Sequence, residues 1–244
     1  MHPSEFQKIF EFEAEHWWFE ERRQVLRYLL ERFVPKKSAA ILDVGCGTGH
    51  HLLFLRRLGY GQAVGVDIAP LAIAFCARQG LANVRQADAA HLPYGDGQLE
   101  VLLVFDVLEH LADDAAAMRE FGRVLKPGGV AMVTVPAFPF LWSRHDVVLE
   151  HYRRYRIADV RRLAAGCGFT VAAWSYFFCA IFPAVVLYRA IARLLKIDRT
   201  SDLEATVEPL NTLLKLIGSA EVAAMRSWHR LPFGTSLAVV LRKR

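Results

Sequence analysis

The chain has 244 residues, 54% hydrophobic and 23% charged, with a formal net charge of +5. That apolar content excludes a disordered or purely solvating chain, and the length fits one α/β domain with additions. The four cysteines, Cys46, Cys76, Cys167 and Cys179, show no close pairing, and Met1 to Lys8 lack the apolar core of a secretion signal, so a reducing cytosol is the expected location.

Residues 4–33 read as two amphipathic helices, with Phe6, Ile9, Phe10 and Phe12, then Trp18, Val25, Leu26, Leu29 and Leu30 at helical spacing; Pro35 closes them. Ala39 to Val44 is an apolar run too short for a helix and is followed at once by glycines, which predicts a first strand. The chain then alternates: helix 50–58, strand 62–66, helix 71–79, strand 82–86, strand 99–105, helix 113–125, a turn at Pro127-Gly128-Gly129, and strand 130–135. Such alternation implies crossover units and a parallel sheet buried on both faces. An aromatic loop, Phe138 to Trp142, leads to His145–Tyr155. A helix over 158–165 stops at Gly166-Cys167-Gly168, strand 169–176 follows, helices dominate 179–232, and a last strand covers 235–241. The expected organisation is an N-terminal helical extension (1–38), an α/β core (39–178), a helical insertion (179–232) and a final core strand (233–244).

Ile41 to Gly49 places Gly45, Gly47 and Gly49 between a strand and a helix, where glycine lets the backbone turn tightly and approach a ligand. The spacing Gly-x-Gly-x-Gly, with His50 next, departs from the Gly-x-Gly-x-x-Gly of dinucleotide sites and argues against a nicotinamide or flavin. Asp67 ends the second strand 18 residues past Gly49, placed to accept ribose hydroxyls, and Asp88 ends the third.

With Asp106-Val107-Leu108-Glu109-His110-Leu111 and Arg123 to Gly129 following in order, residues 39–135 resemble the class I S-adenosylmethionine-dependent methyltransferases, nearest to the small-molecule and quinone-modifying branch. The resemblance implies a Rossmann-like doubly wound, mostly parallel seven-stranded sheet whose seventh strand is antiparallel between the fifth and sixth, and S-adenosylmethionine as cofactor. It also implies that Asp43, Gly45, Cys46, Gly47, Thr48 and Gly49 flank the methionine part. Asp67 would take the ribose, Ile68 would pack on adenine, Asp88 with Ala89 would meet the adenine amino group, and Phe105 would lie beside the methionine. Family members join their last two strands by a short hairpin; here more than fifty residues intervene.

For the acceptor, His110, His145 and His151 are the candidate bases, since histidine titrates near working pH. Arg153 and Arg154 are candidates to grip an anionic group through forked guanidinium hydrogen bonds, with solvation the competing reading, and Trp142 and Tyr152 are further acceptor-binding candidates. His16 to Phe19 and Arg22-Arg23 resemble the N-terminal helices of bacterial methyltransferases of polysaccharide and lipid-glycan function, making Trp17 and Trp18 candidate caps of the acceptor pocket; packing on the sheet is the alternative. No Cys/His spacing demands a metal. The basic excess is local, nine Lys/Arg against two Asp/Glu over 151–199. Without a nucleic-acid-binding module, nucleic acid is not an expected partner. Residues 163–188 carry no charge, but Gly166 to Gly168 and Pro183 interrupt them, so a spanning helix is not expected. Over 184–196, Arg189, Arg193 and Lys196 recur beside Leu187, Ile191, Leu194 and Leu195. This pattern suits a helix at an anionic membrane surface, or equally a lid or dimer element.

The expected function is methyl transfer, at oxygen, to a small or lipid-linked acceptor, in the cytoplasm with a peripheral contact at the inner membrane surface. The alternatives are a non-catalytic S-adenosylmethionine-binding regulator and a nicotinamide-dependent oxidoreductase. Neither the acceptor nor the oligomeric state is written in the sequence.

Overall fold

The computed structural model describes residues 3–195 and 206–244, with side chains from Phe6 onward. Seven strands form one sheet in the order β3-β2-β1-β4-β5-β7-β6. They are β1 (Ile41–Val44), β2 (Val64–Asp67), β3 (Val84–Gln86), β4 (Leu99–Phe105), β5 (Leu125–Pro136), β6 (Phe169–Phe177) and β7 (Ser236–Lys243). Strand β7 runs antiparallel to both β5 and β6, while β3, β2, β1, β4 and β5 pair in parallel. This is the Rossmann-like arrangement that the sequence implies.

Period-2 alternation inside apolar runs builds a core on each face. Ile41, Val101, Leu103, Met132 and Val240 enter one hydrophobic cluster, which α2 (Trp17–Phe33), α3 (His50–Arg57) and α9 (Glu208–Trp228) cover. Leu42, Leu102, Val104, Ala131 and Val239 enter the other, beneath α5 (Asp114–Val124) and α7 (Ile157–Gly166). Helix α1 (Pro3–Phe12) packs Phe6 and Phe10 on Phe75 of α4 (Pro70–Arg78). The expected turn at Pro127 to Gly129 is assigned within β5. Pairing steps from Leu99↔Leu125 to Val101↔Val130, so the proline and glycines are looped out of register instead of ending the strand.

Between β6 and β7 lie α8 (Phe182–Leu195) and α9; Lys196 and the rest of the insertion up to residue 205 lie outside the described residues. Helix α8 turns Arg189 inward, unlike the outward placement that the membrane-surface alternative gives it, while the lid and dimer alternatives stay open. Arg189 is buried and donates to Leu141 O, and Arg193 donates to Phe140 O and Trp142 O, so both arginines clip the helix onto the loop after β5. Leu187, Ile191, Leu194 and Leu195 also meet solvent, Leu194 at 82% exposure, and Arg193 stays exposed while it holds the loop. The loop carbonyls satisfy guanidinium donors that would otherwise favour water.

A carboxyl pair ties α9 to α2. Glu21 accepts from Phe178 N at 3.1 Å, and Glu221 accepts from Cys179 N at 2.7 Å and Ala180 N at 3.0 Å. Gly218 permits the approach, since a Cβ there would lie 2.5 Å from Glu21 Oε2. Burial, then the Glu221 charge, push the Glu21 carboxyl up to about 9.

Candidate active site

A cavity of about 1120 Å³ opens at the carboxyl ends of β1, β2 and β4, where open α/β sheets bind ligands. At one end lies the glycine loop. Gly45 has φ +69°, and a Cβ there would meet Val107 Cγ2 at 2.5 Å; Gly47 has φ +55°, and a Cβ would meet nothing within 4 Å, leaving its backbone open to the cavity. Asp67 Oδ2 accepts from Gly47 N and Oδ1 from Ala69 N, each at 2.9 Å, so the carboxylate fixes the loop while each oxygen keeps a second lone pair for a ligand. Burial raises the Asp67 carboxyl. Cys46, Thr48, Ile68, Asp88, Ala89 and Phe105 also line this end. Ile68 is 64% exposed, an apolar platform that a flat base would cover. Asp43 and Gly49 do not line the cavity: Asp43 lies buried behind the loop, its carboxyl pushed well up by burial, and Gly49 caps α3.

Sequence reasoning missed Glu13. The turn between α1 and α2 brings its carboxylate onto Thr48 Oγ1, which donates to it, and 3.4 Å from His50 Nδ1. With Phe6 and Ile9, Glu13 makes the N-terminal segment a wall of the cavity. Its signal would have been an acidic residue in a helix-to-helix turn, which has no spacing of its own.

At the other end His110, His145, His151, Tyr152 and Arg154 line the cavity, joined by Trp17 and Trp18. Trp18 stacks on Phe178 with centroids 5.9 Å apart, and the Arg22 guanidinium lies 4.3 Å from its ring while pairing with Asp106. Trp142 and Arg153 do not line it. Arg153 reaches Asp114 at 3.0 Å and Ala112 O at 2.7 Å, a clasp between the loop and the start of α5.

Asp146, on α6 (Arg144–Val148), organises this end. It is fully buried, accepts from Ser143 N at 2.8 Å, His151 Nδ1 at 3.0 Å and Arg154 Nε at 2.7 Å, and lies 3.7 Å from Arg189. Burial pushes its carboxyl up, but the His151 hydrogen bond and the Arg154 charge outweigh that and hold it well below the usual carboxylate range. The sequence signal for it was the capping pattern Ser143-x-x-Asp146. His110 meets His151 edge to face at 4.6 Å, and burial, then His151, lower it to about 4, so it is neutral at pH 7. Glu109 beside it is buried, its carboxyl pushed well up by burial and then by Asp106.

Known proteins similar to this chain are methyltransferases in name. Residues 42–133, which span β1 to most of β5, match the family described as a methyltransferase domain. Proteins named "Probable S-adenosylmethionine-dependent methyltransferase" from Mycolicibacterium smegmatis and Mycobacterium tuberculosis are 30% identical over 160 and 176 residues, covering 64% and 70% of this chain and 61% of each relative. The chain thus spans about three fifths of the length of these curated relatives. A demethylmenaquinone methyltransferase of Thermus thermophilus is 35% identical over 132 residues, 52% of this chain and 57% of that one. In the solved complex between the Haloferax volcanii Trm112 methyltransferase activator and a methyltransferase, a chain with 19% identity superposes with TM-score 0.65, covering 98% of this chain and 94% of its own. The glycine loop, the carboxylate of Asp67 and the exposed Ile68 suit a nucleoside with a charged tail, and residues 42–133 carry a methyltransferase domain similar to that of proteins named S-adenosylmethionine-dependent methyltransferases.

Proposed function

We propose that this chain moves the methyl group of S-adenosylmethionine to the oxygen of a small or lipid-linked acceptor. The observation that carries the reading is one continuous cavity with a nucleoside-type end at Gly47 and Asp67 and a polar end at His110, His151 and Arg154. At about 1120 Å³ it exceeds the ~300 to 1,000 Å³ typical of single small-molecule sites, which suits donor and acceptor together.

Bound there, S-adenosylmethionine supplies an activated methyl group. The residues that would hold it are Gly45 to Thr48, Asp67, Ile68, Asp88, Ala89 and Phe105. Alignment of nucleophile, methyl carbon and sulfur supplies ~7 to 11 kcal/mol of such catalysis, against ~10²- to 10⁴-fold from a general base. Positioning by the cavity walls therefore dominates. Asp146 fixes the tautomer and direction of His151, which is the group placed to take a hydroxyl proton. Neutral His110 can accept a hydrogen bond from the same hydroxyl, and Arg154 lends positive charge to an oxyanion.

The apolar side of α8 supports a lipid-linked acceptor. Ile181, Val185 and Tyr188 line the cavity while Leu187, Leu194 and Leu195 of the same segment meet solvent, a path along which a hydrocarbon tail can leave the site. The outward leucines also suit peripheral contact with a membrane. Among the described residues no helix is long and apolar enough to cross one. The names of relatives, a demethylmenaquinone methyltransferase and an O-methyltransferase of Penicillium expansum, support a hydrophobic or hydroxylated acceptor class.

The test is transfer of tritiated methyl from S-adenosylmethionine to membrane lipid extracts, reduced quinones and lipid-linked glycan intermediates. Label in an organic-soluble ether or ester is the expected result. Tight S-adenosylhomocysteine binding with no transfer to any of these would favour a regulator, and NAD binding in its place would favour an oxidoreductase.

A further inference from the structure

Three side chains with metal-binding atoms converge at the acceptor end. A carboxylate oxygen of Glu109 and one ring nitrogen each of His110 and His151 lie within 4.8 Å of one another. Glu109 is 1% exposed, yet neither of its oxygens has a hydrogen-bond partner. A buried carboxyl left in that state is costly, and native proteins rarely tolerate it without a bound water or ion. The surroundings are built to hold the histidines still. Asp146 takes Nδ1 of His151, leaving Nε2 as the nitrogen that can bind, and Tyr152 N donates to Glu109 O at 2.7 Å, tying the two loops together. A carboxylate that orients an imidazole from behind is the usual outer support of histidine ligands to metal ions.

We propose that Glu109, His110 and His151 bind a divalent first-row transition-metal ion at the acceptor end of the cavity. Two imidazoles and one carboxylate with open positions suit Mn²⁺, Fe²⁺, Co²⁺ or Zn²⁺, whereas Mg²⁺ and Ca²⁺ favour all-oxygen sets. Three donor atoms within 4.8 Å of one another are close enough to converge on one ion at bond lengths of ~2.0 to 2.2 Å. The 40 residues between His110 and His151 explain why no ligand spacing was visible in the sequence.

The inference deepens the methyl-transfer reading and rests on it for the acceptor's part. An acceptor hydroxyl bound at an open position of the ion loses its proton to solvent more readily. Its oxygen lone pair then forms the O–CH₃ bond as the S–CH₃ bond breaks, and that electron pair goes to sulfur. In this arrangement His151 is a ligand and not the base.

Co²⁺ titrated into chelator-treated protein tests the site, with visible d–d absorption and calorimetry as readouts. One Co²⁺ per chain is expected, displaced by Zn²⁺. Glu109→Gln and His110→Asn should each weaken binding by about 100-fold or more, and Asp146→Asn by ~10- to 100-fold as an outer support. The exposed His91→Asn should leave binding unchanged. Circular dichroism reports whether each variant folds, and if Glu109→Gln does not, His110→Asn carries the test. Absence of saturable Co²⁺ binding, or dissociation constants in the folded variants within about threefold of wild type, overturns the proposal. Calorimetry with S-adenosylhomocysteine keeps the two readings apart. Nucleoside binding without Co²⁺ binding sinks the metal site alone, and Co²⁺ binding without nucleoside binding sustains it while removing the donor assignment.

Discussion

Glu21→Gln should make the fold less sensitive to alkali. The Glu21 carboxyl titrates at about 9 in the folded chain against an ordinary 4.5, because burial and the neighbouring Glu221 charge disfavour its ionised form. A folded value raised above the unfolded one means that the native state keeps a proton which the unfolded chain releases. Its contribution is fully present below 4.5 and is lost as pH rises through that window toward 9. The slope is at most about 1.4 kcal/mol per pH unit, so pH 8 against pH 5 amounts to roughly 4 kcal/mol if Glu21 titrates alone. Glutamine has the same shape, can still accept the Phe178 N–H, and can donate to Glu221 Oε1, which has no hydrogen-bond partner. Urea unfolding of wild type and variant at pH 5, 7 and 8, compared at constant slope, measures the difference directly. The variant should match wild type near pH 5 and exceed it by on the order of 3 kcal/mol at pH 8. If the two lose stability in parallel over that range, the proton on Glu21 is not what couples α9 to α2. Other raised carboxyls, such as Asp43 and Asp67, cancel in the comparison.

Asp67→Asn should weaken S-adenosylhomocysteine by ~1.5 to 3 kcal/mol, the worth of a charge-assisted hydrogen bond; unchanged calorimetric affinity would contradict the ribose assignment. Gly45→Ala should lower stability by more than about 1 kcal/mol, since a Cβ there lies 2.5 Å from Val107 Cγ2 at φ +69°, and thermal unfolding reads the loss. Asp146→Asn leaves the Arg154 guanidinium buried without its anion, and a fall of ~3 to 5 kcal/mol in urea unfolding is expected; a fall below about 1 would show that the site does not hinge on this carboxylate. Arg153→Ala should change the acceptor KM by less than about twofold and stability by ~0 to 1 kcal/mol, as for a partly exposed pair with Asp114; a large KM rise would restore the anion-gripping role read from the sequence.

The sheet was readable because its strands are apolar on both faces. Val101 to Phe105 stands out as a continuous hydrophobic run, and strand Leu99–Phe105 contains it. The donor end was readable for a related reason: glycines and strand-end acids sit at fixed offsets along consecutive strands. The remaining cavity walls depend on contacts between segments far apart in sequence. Glu13 reaches Thr48 across 35 positions, and Arg22 reaches Asp106 across more than eighty, so no local pattern marks either. Helical periodicity correctly grouped Arg189 with Arg193 and separated them from Leu187 and Leu194, but periodicity defines faces without saying which one is inside. That choice was made by Asp146 and the carbonyls of Phe140 to Trp142, which offer the arginines better partners than water.

Strand β7 lies in the interior of the sheet, hydrogen-bonded to β5 on one side and β6 on the other. During synthesis, then, β6 and the helices after it emerge before the strand that will anchor them exists. Until residues 236–243 leave the ribosome, β5 presents an open edge and β6 has no neighbour, so the half of the molecule that shapes the acceptor end can be secured only by a late insertion between two waiting strands.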